Sequence, residues 1–127
     1  MNETAQTHAR ELTRYTVNDI SHPAVALRQV GRFVVVAYGS SKHRPHMESL
    51  QVDHRTRDGK NLHLTAPTYF YGGNCVPAPE AELPWTGRRC PMALFLRLEE
   101  FYVPQLAKIE ARLALPADPA QAQSSRS

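Results

Sequence analysis

Six consecutive apolar residues, Phe33-Val34-Val35-Val36-Ala37-Tyr38, constrain this chain more than any other stretch. The run has no alternation and is rich in β-branched and aromatic side chains, which predicts a strand buried on both faces. It stops at Gly39-Ser40-Ser41, a set of turn residues. A rigid central strand therefore delivers two hydroxyls and the Lys42 cation to the edge of a sheet. Such a platform suits the handling of a phosphate or an activated carbonyl.

The strand needs partners, and the preceding residues supply one. Ser21-His22-Pro23 opens a second apolar run, Ala24-Val25-Ala26-Leu27. Proline suits the first position of a strand, where its missing N–H costs least. Only Arg28-Gln29-Val30-Gly31-Arg32 separates the two runs, so they are expected to form an antiparallel hairpin. The start of the first strand then lies beside the end of the second, and His22 comes close to Ser40 and Ser41. Upstream, Tyr15-Thr16-Val17 reads as a short strand ended by an Asn18-Asp19 turn.

Downstream, Leu50 and Val52 alternate with polar residues, as do Leu62 and Leu64. Asp58-Gly59 lies between them and predicts a second hairpin with a basic tip. Lys42, Arg44, Arg55, Arg57 and Lys60, with His43, His46, His54 and His63, could make one positive face; the competing reading is a charged, solvated sheet edge. Ala66-Pro67-Thr68-Tyr69-Phe70-Tyr71 is another strand candidate, whose aromatics either fill a core or stack on bases. The proline-rich stretch from Val76 to Arg89 reads as a loop anchored at Leu83-Pro84-Trp85-Thr86. Leu94-Phe95-Leu96 begins either a last short strand or a helix. Leu98, Phe101, Tyr102, Leu106, Ile109 and Leu113 recur at helical spacing, with an interruption or restart at Pro104.

With 127 residues, 42% of them hydrophobic, the chain is sized for one domain with a single core. The expected organisation is a flexible or frayed segment over residues 1–14, a folded domain over 15–115 and a disordered tail over 116–127. A formal charge of +3 permits an anionic partner without requiring one. Two cysteines are too few for a disulfide framework. No apolar run is long enough for a membrane span, and the N-terminus lacks the blocks of a signal peptide, so a cytoplasmic protein without membrane contact is expected.

The chemistry-bearing set is His22, Ser40, Ser41 and Lys42. A histidine exchanges a proton near neutral pH, and hydroxyls with a lysine hold a phosphodiester oxygen. Together with a basic surface, they suit RNA cleavage by attack of the 2′-hydroxyl on its own phosphate. A zinc site from Cys75, Cys90 and two of His43, His46 and His54 can be drawn. Its spacing matches no CxxC or HxxxH pattern, so no metal and no cofactor is expected. Glu99 and Glu100 read as the solvated face of the terminal helix.

Several of these segments, in this order, resemble the MazF/PemK-like toxins. In that family an Arg-Pro followed by an apolar run opens the second strand; His22-Pro23-Ala24-Val25-Ala26-Leu27 occupies that place. One branch ends its valine-rich strand with Tyr-Gly-Thr-Ser, and Val35-Val36-Ala37-Tyr38-Gly39-Ser40-Ser41-Lys42 is similar. Pro67-Thr68-Tyr69-Phe70 and Leu83-Pro84-Trp85-Thr86 match two further motifs. The resemblance implies a small SH3-like antiparallel barrel with a C-terminal helix, usually a homodimer. It implies a metal-independent endoribonuclease that cuts single-stranded RNA and is held in check by an antitoxin protein.

Carried over, the catalytic pair is His22 and Ser40; the substrate-binding set, Ser41, Lys42, Arg44, Arg55, Arg57 and Lys60, comes from the strand end and the basic face read above. The chain departs from the family in three ways. Histidine stands for the family's arginine, serine for its threonine, and residues 1–19 lack the family's Gly-Asp start. Histidine can act as acid or base but cannot make arginine's bidentate phosphate grip. The alternative reading is therefore a catalytically inactive barrel, a phage or mobile-element module that binds a host protein or nucleic-acid complex.

Overall fold

A computed structural model of the protein describes residues 8–114. The fold is mainly β, with two terminal helices. Strands β1 (Leu12–Val17), β2 (Ile20–Val30), β3 (Phe33–Tyr38) and β6 (Cys75–Pro79) form one antiparallel sheet in the order β1-β2-β3-β6. Strands β4 (Ser49–Val52) and β5 (Thr68–Tyr71) pair separately. An antiparallel bridge between Ser40 and Tyr69 joins the end of β3 to β5. Among the described residues the strands form two linked sheets rather than a closed barrel.

The expected hairpin forms. Ala24 pairs with Tyr38 and Val30 with Phe33, across a two-residue Gly31-Arg32 turn. The strands run further than the apolar residues do, because Arg28, Gln29 and Val30 continue the ladder. Leu27 is an extra residue between the Ala26–Val36 and Arg28–Val35 pairs, a β-bulge, and Ala24, Val25, Ala26 and Leu27 are all buried because both faces are covered. Val34, Val35, Val36 and Ala37 are each fully buried. Val34 and Val36 pack with Ala24 and Ala26 against Tyr15, Val76, Leu83 and Trp85, while Val35 and Ala37 face the main core beneath the helices. A strand covered on both faces is what its unbroken apolar run predicts.

Helices α2 (Met92–Phe101) and α3 (Val103–Leu113) break at Tyr102, with Pro104 in the first turn of α3. Leu94, Leu98, Tyr102, Leu106 and Ile109 enter the main core. Arg28 on β2 donates to Glu110 at 2.6 Å and to Glu99 at 3.2 Å, tying both helices to the sheet. Glu99 is thus an ion-pair partner rather than simply a solvated residue.

Three sequence expectations are corrected. The second hairpin does not form: β4 pairs with β5, and residues Arg57–Asn61 are a short helix, α1. The Thr56 hydroxyl caps it, accepting from the Gly59 amide at 3.1 Å. Gly59 is there for close approach rather than for a hairpin turn. A Cβ at this position would lie 2.2 Å from the Asp53 carbonyl oxygen. Next, the stretch read as a loop from Val76 begins inside β6. Its prolines, Pro77 and Pro79, are tolerated because β6 is the edge strand beside β3. Last, β1 starts at Leu12 rather than Tyr15, and Leu12 pairs with Val25. Residues 8–14 of the segment expected to fray are therefore in defined structure. Residues 1–7 and 115–127, including the tail expected to be disordered, lie outside the described residues.

His8 fastens this end of the chain. Its ring lies flat on Trp85, with centroids 3.8 Å apart. Nδ1 meets Glu11 at 2.7 Å and Nε2 meets Glu80 at 2.9 Å. Both nitrogens face carboxylate oxygens, so the imidazolium, a donor at both, satisfies both. Burial opposes that charge, but the bonds to Glu11 and Glu80 outweigh it and raise the pKa above 6.5.

Two outcomes follow from this packing. Gly59→Ala should lower stability by about 1–3 kcal/mol, as overpacking does, measurable by urea unfolding. The His8 contribution should be fully present below pH 6.5, its unfolded value, and be lost as pH rises through the higher folded value. Trp85, the one tryptophan, reports it: its emission and the Tm should both step across that window, and His8→Gln should abolish the step.

Candidate functional site

The ends of β2 and β3 open onto a cleft of about 680 Å³. One wall is Ile20 to Pro23, another is Gly39 to Lys42 with Arg44, and a third is the segment from His63 to Ala66 after α1. Arg14 closes it from β1. The hairpin register decides this meeting. Because Ala24 pairs with Tyr38, the residues just outside the pair, His22 and Ser40, are brought together, and the Gly39 amide donates to the Pro23 carbonyl at 2.9 Å. Two-residue periodicity puts Ser40 on the same face as Tyr38, the tyrosine whose ring lies 5.4 Å from that of His22.

Gly39 makes the close packing possible. A Cβ there would fall 2.2 Å from Thr68 Cγ2 and 3.1 Å from the Phe70 ring. Both neighbours are buried, so the backbone sits directly against β5 and Ser40 is held in its bridge to Tyr69. The Ser40 hydroxyl accepts from the Lys42 amide at 3.1 Å, a local turn that keeps Lys42 at the cleft wall. The Tyr71 hydroxyl then pins the following loop twice. It donates to the Lys42 carbonyl at 2.7 Å and accepts from the Arg44 amide at 2.6 Å. The buried Tyr102 hydroxyl donates in turn to the Tyr71 carbonyl at 2.6 Å, linking the helix junction to the same strand.

The histidine tautomers follow from their partners. His22 Nδ1 lies 3.2 Å from the Gly39 carbonyl, which can only accept, so Nδ1 carries the hydrogen and in the neutral ring Nε2 holds the lone pair. His63 has the same tautomer, set from its other nitrogen. The Arg88 guanidinium donates to its Nε2, so Nδ1 bears the hydrogen. His63 also has a left-handed backbone, φ 59°, a region that histidine enters more readily than most residues. Arg14, Lys42 and Arg44 line the cleft, and no Asp or Glu does among the described residues. Desolvation and the neighbouring Tyr15 push the Tyr38 hydroxyl up, keeping it protonated beside His22.

Of the residues singled out in the sequence, His22, Ser40, Ser41, Lys42, Arg44 and His63 meet at this cleft. Arg55, Arg57 and Lys60 do not line it. Arg55 is exposed and bonded to Asp53 at 2.9 Å, which with that guanidinium as the leading cause holds the Asp53 carboxyl down at about 2. Arg57 and Lys60 are exposed on α1. The failed second hairpin explains the separation, because those cations were expected on its tip. His43 stacks on Tyr69 at 4.9 Å outside the cleft lining. Cys75 and Cys90 are buried, and burial raises both thiols to about 12. Among the described residues no three His, Cys, Asp or Glu side chains converge as a metal site. No described helix is long and apolar enough to cross a membrane.

No family model, curated protein or solved structure matches this chain.

Arg14 was missed because β1 was read as starting after it. The turn contained the signal: with Val17 paired to Ile20 around Asn18-Asp19, Arg14 necessarily falls opposite Pro23. Tyr71→Phe removes both loop-pinning bonds and should cost about 1–3 kcal/mol at the level of two ordinary hydrogen bonds. Amide exchange at Arg44 should accelerate more than exchange in β2 or β3, which hydrogen-exchange NMR would resolve.

Proposed function

We propose that this protein is a MazF/PemK-like endoribonuclease that cuts single-stranded RNA without a metal. The observation that carries the reading is the cleft: His22 with a free Nε2 lone pair, Ser40 beside it, and Arg14, Lys42 and Arg44 around them with no lining carboxylate. Such a cleft attracts a polyanion and supplies a base at the point where the chain would be held. Arg14 also supports the resemblance. The family's arginine is missing at position 22, but a guanidinium enters the same cleft from the neighbouring strand.

In this reading His22 Nε2 takes the proton of the 2′-hydroxyl as that oxygen attacks phosphorus. The bond from phosphorus to the 5′-oxygen breaks, and the leaving oxygen takes a proton from the imidazolium or from water. Ser40, Ser41, Lys42 and Arg44 steady the charge on the phosphate oxygens. The products are a 2′,3′-cyclic phosphate and a 5′-hydroxyl. Arg55, Arg57 and Lys60 would meet RNA only beyond the cleft.

The wider reading is an SH3-like barrel acting as a cytoplasmic homodimer under an antitoxin protein. The Ser40–Tyr69 bridge, which continues one sheet into the other, supports the barrel. The catalytically inactive binding module is favoured by one observation. Arg14 donates to the Ser21 hydroxyl and, at 2.9 Å, to the Ser21 carbonyl, so its guanidinium is partly engaged.

Pure protein incubated with defined RNAs in EDTA separates the two. Cleavage should leave cyclic-phosphate ends, and His22→Ala should slow it about a hundredfold to ten-thousandfold. Ser40→Ala should cost less. RNA binding should weaken steeply with salt, with Lys42→Ala and Arg44→Ala each lowering the slope by about one. Cleavage by His22→Ala at the wild-type rate would sink the assignment. Salt-sensitive RNA binding without any cleavage would favour the silent module.

A further inference from the structure

A second, smaller cavity of about 100 Å³ adjoins the cleft, and the two share Arg14, Pro23 and His63 as walls. Its floor is apolar and buried, made by Leu12, Val25, Leu62 and Phe70. Two threonines line it, but their hydroxyls are committed. Thr13 donates to the Pro84 carbonyl at 3.1 Å and Thr86 to the Leu12 carbonyl at 3.0 Å. The polar groups left at the rim are Arg14, Arg88 and His63. The two arginines can only donate, and the Arg88 bond to His63 Nε2 makes Nδ1 of that ring a donor as well.

An apolar floor under a rim of donors suits a flat ring with carbonyl oxygens on its edge. Size narrows the choice. At about 100 Å³ the slot is smaller than the roughly 150 Å³ that encloses a benzene ring, so a fused bicycle is excluded and a single six-membered ring enters with one edge seated and the rest in the opening. We propose that it is a pyrimidine-base slot, which seats the base of a nucleotide whose phosphate lies in the cleft. His63, on the shared wall, stands between base and phosphate, and Arg88 fixes its tautomer as a positioning residue. The inference rests on the reading of the cleft as a phosphodiester site.

The test is an NMR titration of the full ¹⁵N-labelled chain with uridine monophosphate, adenosine monophosphate, inorganic phosphate and uridine. Uridine monophosphate should move the amides of Ser40 and Lys42 and also those of Thr13, His63 and Arg88. Adenosine monophosphate and phosphate should move only the first group, and uridine only the second. Leu62→Phe narrows the slot and should weaken uridine monophosphate about tenfold or more, with phosphate binding unchanged. Arg88→Ala, which leaves the apolar floor intact, should weaken it too and guards against a Leu62 variant that fails to fold.

Equal movement of the slot amides by both monophosphates would overturn the proposal. So would unchanged uridine monophosphate affinity in Arg88→Ala. The cleft reading fails separately, if phosphate leaves Ser40 and Lys42 unmoved while uridine still shifts the slot. RNA cleavage with no preference for a pyrimidine beside the cut would overturn the slot and leave the ribonuclease standing.

Discussion

The β2–β3 hairpin is the constraint on which the rest of this structure depends. Its strands are covered on both faces, so every backbone polar group in them must be satisfied by neighbouring strands. β1 and β6 do this on the two sides. Small residues, Ala24 and Ala26, leave space for Val34 and Val36 on one face, and Val25 and Leu27 fill the other. A register shift by one residue would exchange the two faces and put Phe33 or Tyr38 into space shaped for valine and alanine. That register also fixes the distance between the start of β2 and the end of β3, so the packing of the core sets the geometry of the cleft.

Rigidity reaches the cleft through few groups. Gly39 lets the backbone lie against Thr68 and Phe70, and the Tyr71 hydroxyl holds both sides of His43. Tyr102, at the break between α2 and α3, holds Tyr71 from behind through its carbonyl. Burial drives the Tyr102 hydroxyl far above its ordinary value, so it stays protonated and donating at neutral pH. The helices thus contribute to the site without touching it. Their attachment to β2 through Arg28, Glu99 and Glu110 closes the same circuit.

Charge is distributed unevenly around this frame. The carboxylates of Glu11, Glu80, Glu99 and Glu110 are used in contacts that hold elements together. Arg14, Lys42 and Arg44 are left to line the cleft without a lining carboxylate. An acid placed among them would neutralise the field that makes the cleft attractive to a phosphate. Two histidines of one tautomer complete it, the first leaving its Nε2 free and the second its Nδ1–H, each set by a neighbour that can act in only one way.

The sequence by itself determined the doubly buried strand, its hairpin partner, the Asn18-Asp19 turn and the helix restart near Pro104. Each is a local pattern: an unbroken apolar run, a short link, a turn pair, a missing N–H. It also pointed to His22 lying near Ser40, because antiparallel pairing sets the start of one strand beside the end of the other; the register that brings both to one cleft came with the Leu27 bulge and the two-residue turn. Only the tertiary structure decided the path of residues 53–64. Asp58-Gly59 has the same composition whether it turns a hairpin or packs a helix against the Asp53 carbonyl, and the choice rests on a contact that no local pattern encodes. The same holds for β6, whose prolines read as loop until an edge position beside β3 makes them tolerable. Arg14 and His63 belong to the cleft for that reason too. One depends on where β1 begins and the other on where α1 ends, and both were settled by what the neighbouring elements buried.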